Sequence, residues 1–152
     1  MMLEYYRIRG DVFPPSRSNP SDAGLDVYFC PADRRPVVIK PYENKILGTG
    51  LKFGVPHGYM LQAMNRSGMA SKRCLVVGAH CIDSGYDGEI FIDLHNIGEK
   101  AQLIEPESKI AQLVLIPVVT FRAMETTKDS LYNWVPITIS NRGADGFGST
   151  GS

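Results

Sequence analysis

Apolar and polar residues alternate in short runs along this chain, and glycine, proline, asparagine and aspartate separate the runs. Segments rich in Val, Ile, Tyr and Phe recur at residues 3–9, 25–29, 37–40, 45–53, 59–64, 75–81, 89–95, 109–121 and 135–139. A period of two with that punctuation predicts β-strands. Long amphipathic helices are missing, and a single helical turn is predicted at SGMASKR, Ser67 to Arg73, with Ser67 as its N-cap. Many short strands must hide their edges, so the expected fold class is all-β, a closed or sandwich-like antiparallel barrel or jelly roll whose loops carry the chemistry.

Two segments stand out from the regular alternation. KIAQLVLIP, Lys109 to Pro117, is apolar for most of its length, which suits a strand covered on both faces. Gln112 interrupts it, either to satisfy a neighbouring backbone group or to point into a polar site. GAHCIDSGYDGEIFIDLHN, Gly78 to Asn96, reads as a β-hairpin around the turn Ser84, Gly85, Tyr86, Asp87. With Asp83 facing Gly88, Cys81 faces Ile90 and His80 faces Phe91, and Tyr86 lies at the exposed tip. Period two then puts Asp83 and Cys81 on one face and His80 and Ile82 on the other.

The 152 residues are one domain's worth of chain. Sixteen basic and sixteen acidic residues cancel, and like charges never run beyond short pairs such as Lys72, Arg73. That balance argues against a duplex nucleic acid or an anionic membrane as partner, and any anionic ligand must be small and locally held. No apolar run reaches transmembrane length, and MMLEYYRIRG lacks a secretory signal's apolar stretch, so the expected location is the cytoplasm, or a host's cytoplasm for a viral protein. Cys30, Cys74 and Cys81 form no C-x-x-C pair and are expected as buried structural thiols in a reducing compartment.

Candidate chemistry is concentrated in a few places. Arg66, Ser67 and Gly68 follow the segment YMLQAM and open the helical turn, so a guanidinium, a hydroxyl and backbone N–H groups converge as an anion site. Asp83, at a strand end, is either a turn-forming aspartate or a carboxylate that orients and deprotonates a water. Asp26, in DAGLDV, is either a cap or turn residue or a group that helps hold the water shell of Mg²⁺ near phosphates. His57, His80 and His95 share no metal-ligand spacing, which argues against zinc. Residues 141–152 contain four glycines together with Arg142, Phe147, Ser149 and Thr150. So many glycines lose much backbone entropy on ordering, so this tail is expected to be mobile without a ligand and to close on one.

Five separated segments resemble, in order, the five motifs of the trimeric dUTPases. They are DAGLDV (22–27), NRSGMASK (65–72, preceded by VPHGY), GAHCIDSGYDGEI (78–90), SKIAQL (108–113) and RGADGFGSTG (142–151). The resemblance covers nearly the whole chain. It implies hydrolysis of dUTP to dUMP and pyrophosphate with Mg²⁺ as cofactor, in a homotrimer whose active sites each draw on more than one subunit. It implies a domain over residues 1–140 and a glycine-rich lid over 141–152.

The same resemblance implies that Asp83 aims the attacking water and holds the 3′-hydroxyl, and that Tyr86 packs under the deoxyribose. Backbone groups of His80, Cys81 and Ile82, with Phe91 opposite, would read the uracil. Arg66, Ser67, Gly68 and Gln112 would bind phosphates, and Asp26 would lie near the metal's water shell. In the tail, Phe147 would cover the uracil while Arg142, Gly148, Ser149 and Thr150 grip the γ-phosphate.

The chain departs from the family's usual residues at Asn65, His80, Lys109 and Asp145. Residues 121–140, with Trp134, are longer than in compact members and read as a surface excursion or an arm crossing to a neighbour, Trp134 packing into the core. Two other readings are a dCTP deaminase or bifunctional deaminase of the same fold, and a dUTPase-like trimer that engages a regulatory protein under nucleotide control.

Overall fold

The structure, a computed structural model, describes residues 1–133. The chain divides into two units, residues 1–120 and residues 121–152. In chain order the first unit holds β1 (Tyr5–Arg7), β2 (Leu25–Tyr28), β3 (Val37–Ile39), β4 (Asn44–Gly48), β5 (Leu51–Phe53) and β6 (Tyr59–Met64). It continues with α1 (Ser67–Arg73), β7 (Leu75–Val77), β8 (Cys81–Ile82), β9 (Phe91–Asn96), β10 (Gln102–Ile104) and β11 (Lys109–Pro117). The expected all-β class with one short helix is the observed one. Among the described residues no helix is long and apolar enough to cross a membrane.

All pairings are antiparallel. One sheet runs β2-β11-β6-β8, a second β4-β9-β7, and two-stranded sheets join β1 to β5 and β3 to β10. The apolar run KIAQLVLIP lies between β2 and β6; Ile110, Ala111 and Leu113 are buried, but Val114, Leu115 and Ile116 are only half-buried, so the expected cover on both faces does not extend over its second half. A register shift between Lys109 and Ala111 against β2 accompanies the burial of two successive residues, Ile110 and Ala111, where simple alternation would bury one. The strand ends at Pro117, four residues short of the run read from sequence. The core gathers Ile39, Leu47, Leu51, Leu75, Ile90, Ile92, Leu94, Ile104 and Leu113.

Several local expectations are corrected. The run 45–53 is two strands, because Gly50 takes a left-handed φ of 68° between them. A Cβ there would sit 2.3 Å from Cγ2 of Val12, so glycine is required twice over. The helix begins at Ser67, and Arg66, still extended at φ −87° and ψ 134°, is the N-cap without any side-chain capping bond. Cys30 alone is a buried thiol; Cys74, at the left-handed C-cap, is half-buried and Cys81 is exposed. Strand β10 escaped the sequence pattern, since Gln102–Ile104 offers two adjacent apolar residues, Leu103 and Ile104, and no alternation.

In the second unit, as far as Asn133, Ser130 N–H and Leu131 N–H turn back to Thr127 O at 3.1 and 3.0 Å. The expected strand at 135–139, the role of Trp134 and the lid residues Arg142, Phe147, Gly148, Ser149 and Thr150 lie outside the described residues.

Candidate functional site

The hairpin from Gly78 to Asn96 pairs at its base in the register read from sequence, then opens. Leu75, Val76 and Val77 of β7 face Asn96, His95 and Leu94 of β9, and Gly78 N–H donates to Asp93 O at 2.8 Å. Continued outward, this register would place His80 opposite Phe91 and Asp83 opposite Gly88. The arms instead part. Cys81 and Ile82 pair with Gln62 and Leu61 of β6, while β9 remains bonded to β4. The expected pairing of Cys81 with Ile90 and of His80 with Phe91 is therefore replaced by pairing to another sheet.

A cleft of about 200 Å³ occupies the wedge, lined by Cys81, Ile82, Asp83, Tyr86, Glu89, Ile90 and Phe91. The strand exchange also sorts the backbone groups. His80 O accepts Ala63 N–H at 2.8 Å, so the alternation of an antiparallel ladder turns His80 and Ile82 toward β6 and Cys81 away from it. β8 is an edge strand, which leaves the main chain of Cys81 open to a ligand. The His80 ring turns from the cleft and its Nδ1 meets Ala63 O at 3.0 Å. The His80 side chain is thus accommodated outside the cleft.

Asp83 is exposed, and its carboxylate makes no hydrogen bond among the described residues; its backbone carbonyl accepts Tyr86 N–H at 3.2 Å. The turn is made by main chain, so the carboxylate is not consumed in it. Tyr86 is 46% exposed, with its hydroxyl donating to Glu89 O at 2.8 Å. Phe91 is 50% exposed at the mouth, and Gly48 is its partner on β4.

A second cleft, about 280 Å³ and polar, is lined by Ser18, Asp22, Asp26, Arg66, Ser67, Gly68, Met69 and Gln112. It brings together every phosphate-binding residue read from the described part of the sequence. Asp26 is buried, with Oδ1 accepting from Arg66 Nε at 3.0 Å and Oδ2 facing Lys109 Nζ at 2.7 Å. Gln112 donates through Nε2 to Asn65 O at 2.8 Å, and Asn65 Oδ1 accepts Val77 N–H at 2.7 Å. Gln112 therefore does both things its position allowed: it ties down a backbone carbonyl and lines a polar site. A Cβ on Gly24 would lie 2.0 Å from Gln112 Oε1, which explains the glycine in DAGLDV.

The two clefts share no lining residue. A larger hollow of about 640 Å³, lined by Leu3, Glu4, Tyr5, Tyr6, Lys52, Phe53, Gly54 and Asp87, holds none of the candidate residues. Two of its three charged residues, Lys52 and Asp87, are paired with each other at 2.7 Å. Sequence reading missed Glu89, Lys109 and Asn65 as members of this machinery. Glu89 had one available signal, a carboxylate within the hairpin motif but off its turn; Lys109 and Asn65 act through partners distant in sequence.

A family model described as dUTPase matches residues 12–151. The chain is 36% identical over 153 residues, covering 99% of both sequences, to a protein named deoxyuridine 5′-triphosphate nucleotidohydrolase from Nautilia profundicola. It superposes with a TM-score of 0.80 at 27% identity, across 99% of each chain, on a Staphylococcus bacteriophage 80alpha dUTPase with dUpNHpp. It has the same fold as a mutant dUTPase of phage phi11 of S. aureus described with a structural Mg(II) ion, with a TM-score of 0.75 at 24% identity over 83% of this chain and 97% of that one.

Proposed function

The chain belongs to the dUTPase family, and from that premise we infer that it is a dUTP diphosphatase, a hydrolase that splits dUTP into dUMP and pyrophosphate. One observation carries the site assignment: an uncommitted carboxylate, Asp83, lies beside a narrow cleft walled by an aromatic ring and by open strand-edge backbone.

We place the uracil against Cys81 main chain and Phe91, and the deoxyribose on Tyr86. A tyrosine whose hydroxyl is held by Glu89 O presents its ring as a fixed floor, and in this reading the floor selects the deoxyribose by leaving no room for a ribose 2′-OH. Asp83 orients a water and takes its proton as the oxygen bonds to the α-phosphorus. The bond from that phosphorus to the bridging oxygen breaks, and pyrophosphate leaves. Arg66, Ser67, Gly68 and Gln112 hold the phosphate chain, and a fixed guanidinium there stabilises charge without reorganising. We assign residues 141–152 to a lid in which Arg142, Phe147, Gly148, Ser149 and Thr150 complete the enclosure.

Mg²⁺ fits the residues present as an ion brought by the triphosphate. Among the described residues no three His, Cys, Asp or Glu gather as a metal cage, and both oxygens of Asp26 are already in ion pairs. Asp26 and Asp22 line the polar cleft, where they would meet the ion through its waters. Bound there, Mg²⁺ supplies neutralisation of phosphate charge. The separation of the pyrimidine cleft from the phosphate cleft supports a homotrimer in which different subunits contribute the two.

Pyrophosphate release from dUTP with Mg²⁺, with UTP, dTTP and dCTP as controls, tests the activity. No release from dUTP at micromolar enzyme, or ammonia from dCTP, refutes it.

A further inference from the structure

Glu89 lines the cleft assigned to the pyrimidine, yet one oxygen of its carboxylate is engaged by main chain. Oε1 accepts the N–H of Gly50 at 2.7 Å, across 39 residues of chain. The seat is made by glycines: a Cβ on Gly48 would lie 2.7 Å from that same oxygen, and Gly50 has its left-handed φ. Around it Thr49 Oγ1 donates to Ile90 O at 2.7 Å, and Ile90 N–H donates to Leu51 O at 2.7 Å. The junction between β4 and β5 thus grips Glu89 and Ile90 from both sides.

On its other side Glu89 receives Tyr86. The phenol donates to Glu89 O at 2.8 Å, and the ring lies so close over Gly88 that a Cβ there would be 2.3 Å from its hydroxyl oxygen. The loop from Asp83 to Gly88 is otherwise thinly held: Asp83, Ser84, Gly85, Tyr86 and Asp87 are all exposed. One residue therefore joins a buried, tightly hydrogen-bonded junction to the acceptor that fixes the tyrosine. A loop of this kind is rigid only where it is tied.

We propose that Glu89 is a positioning residue for sugar selectivity: its carboxylate, seated on Gly48 and Gly50, fixes the carbonyl that holds Tyr86 under the deoxyribose. This rests on the dUTPase reading of the cleft. The role needs an acceptor of the right length at Gly50 N–H and does not need negative charge.

The test measures kcat and KM for dUTP and UTP in Glu89→Ala, Glu89→Asp, Glu89→Gln and Thr49→Val, alongside thermal melts. Glu89→Ala and Glu89→Asp are expected to lower the dUTP-over-UTP ratio of kcat/KM roughly tenfold, mainly through KM for dUTP. Glu89→Gln keeps an acceptor at the same reach and is expected to retain the ratio. Thr49→Val weakens the same junction without touching the tyrosine's acceptor, so it lowers the melting temperature and leaves the ratio unchanged. A wild-type ratio in Glu89→Ala overturns the proposal, and if that variant does not fold, a wild-type ratio in Glu89→Asp does so. Equal losses in Glu89→Gln, or losses that follow the melts through Thr49→Val, overturn it as well. If the wild type releases no pyrophosphate from dUTP, the functional reading falls by itself; dUMP against UMP affinity, read by calorimetry on the same variants, still decides the positioning role.

Discussion

Nε of Arg66 donates to Oδ1 of Asp26 at 3.0 Å, joining two residues 40 apart in sequence at the wall of the polar cleft. Lys109 holds the other carboxylate oxygen at 2.7 Å, so one buried acid organises two cations from β11 and from the loop before α1. With Nε engaged, the terminal nitrogens of Arg66 are the donors left for a phosphate. Asp26 thereby has a defined task with or without a metal ion.

Replacing Asp26 with alanine leaves both cations uncompensated in a partly buried place. Breaking such a pair is expected to cost about 3 kcal/mol and to raise KM for dUTP by about tenfold or more. Urea denaturation and steady-state kinetics check this. Asp26→Asn, which keeps an acceptor for Arg66, falls between.

Asp83→Asn removes the proton acceptor and keeps the shape of the cleft. Turnover is expected to drop by about 10²–10⁴-fold while a non-hydrolysable dUTP analogue still binds. Pyrophosphate release and calorimetry measure the two separately. Loss of both together would mean that Asp83 maintains the loop rather than the chemistry.

Gly50→Ala places a methyl against Val12 at a backbone angle that L-residues avoid. Strain and overpacking together are expected to cost about 2–3 kcal/mol. A fall in the denaturation midpoint without change in the slope checks it.

The thiols differ in reach. Cys81 is exposed in the cleft beside Asp83, whereas Cys30 is buried and burial raises its thiol above the ordinary value of 9.0. A thiol reagent at pH 8 is expected to label Cys81 first, with loss of activity that dUMP slows, and Cys30 only on unfolding. Peptide mapping over time reads the order.

Asp93 carries a pH dependence. Burial pushes its carboxyl up, but hydrogen bonds from Asn44 at 2.7 Å and His95 at 2.9 Å outweigh this and hold it below 3.8. A folded value below the unfolded one means stability that is present above about pH 4 and lost as pH falls through the folded value. The stability gap between wild type and Asp93→Asn is expected to be widest near neutrality and to close below pH 4. Denaturation midpoints across that range test it.

Much of this protein was legible along the chain because strand patterns are local. Alternation and turn residues marked most strands, the run at Lys109–Pro117 announced a long strand, and the hairpin base pairs in the register that its turn implied. The phosphate-binding candidates Arg66, Ser67, Gly68 and Gln112, and Asp26 expected near the metal's water shell, do gather in one cleft. Tertiary structure alone decided which partner each edge chose. Nothing in CID, Cys81 to Asp83, says that it leaves β9 for Leu61 and Gln62, because period two fixes a residue's face but not the strand that will bond it. That choice opened the cleft beside Asp83, exposed Cys81, and brought Glu89 onto the amide of Gly50. Such contacts depend on burial and hydrogen bonding summed over the whole fold, and no window of sequence contains that sum.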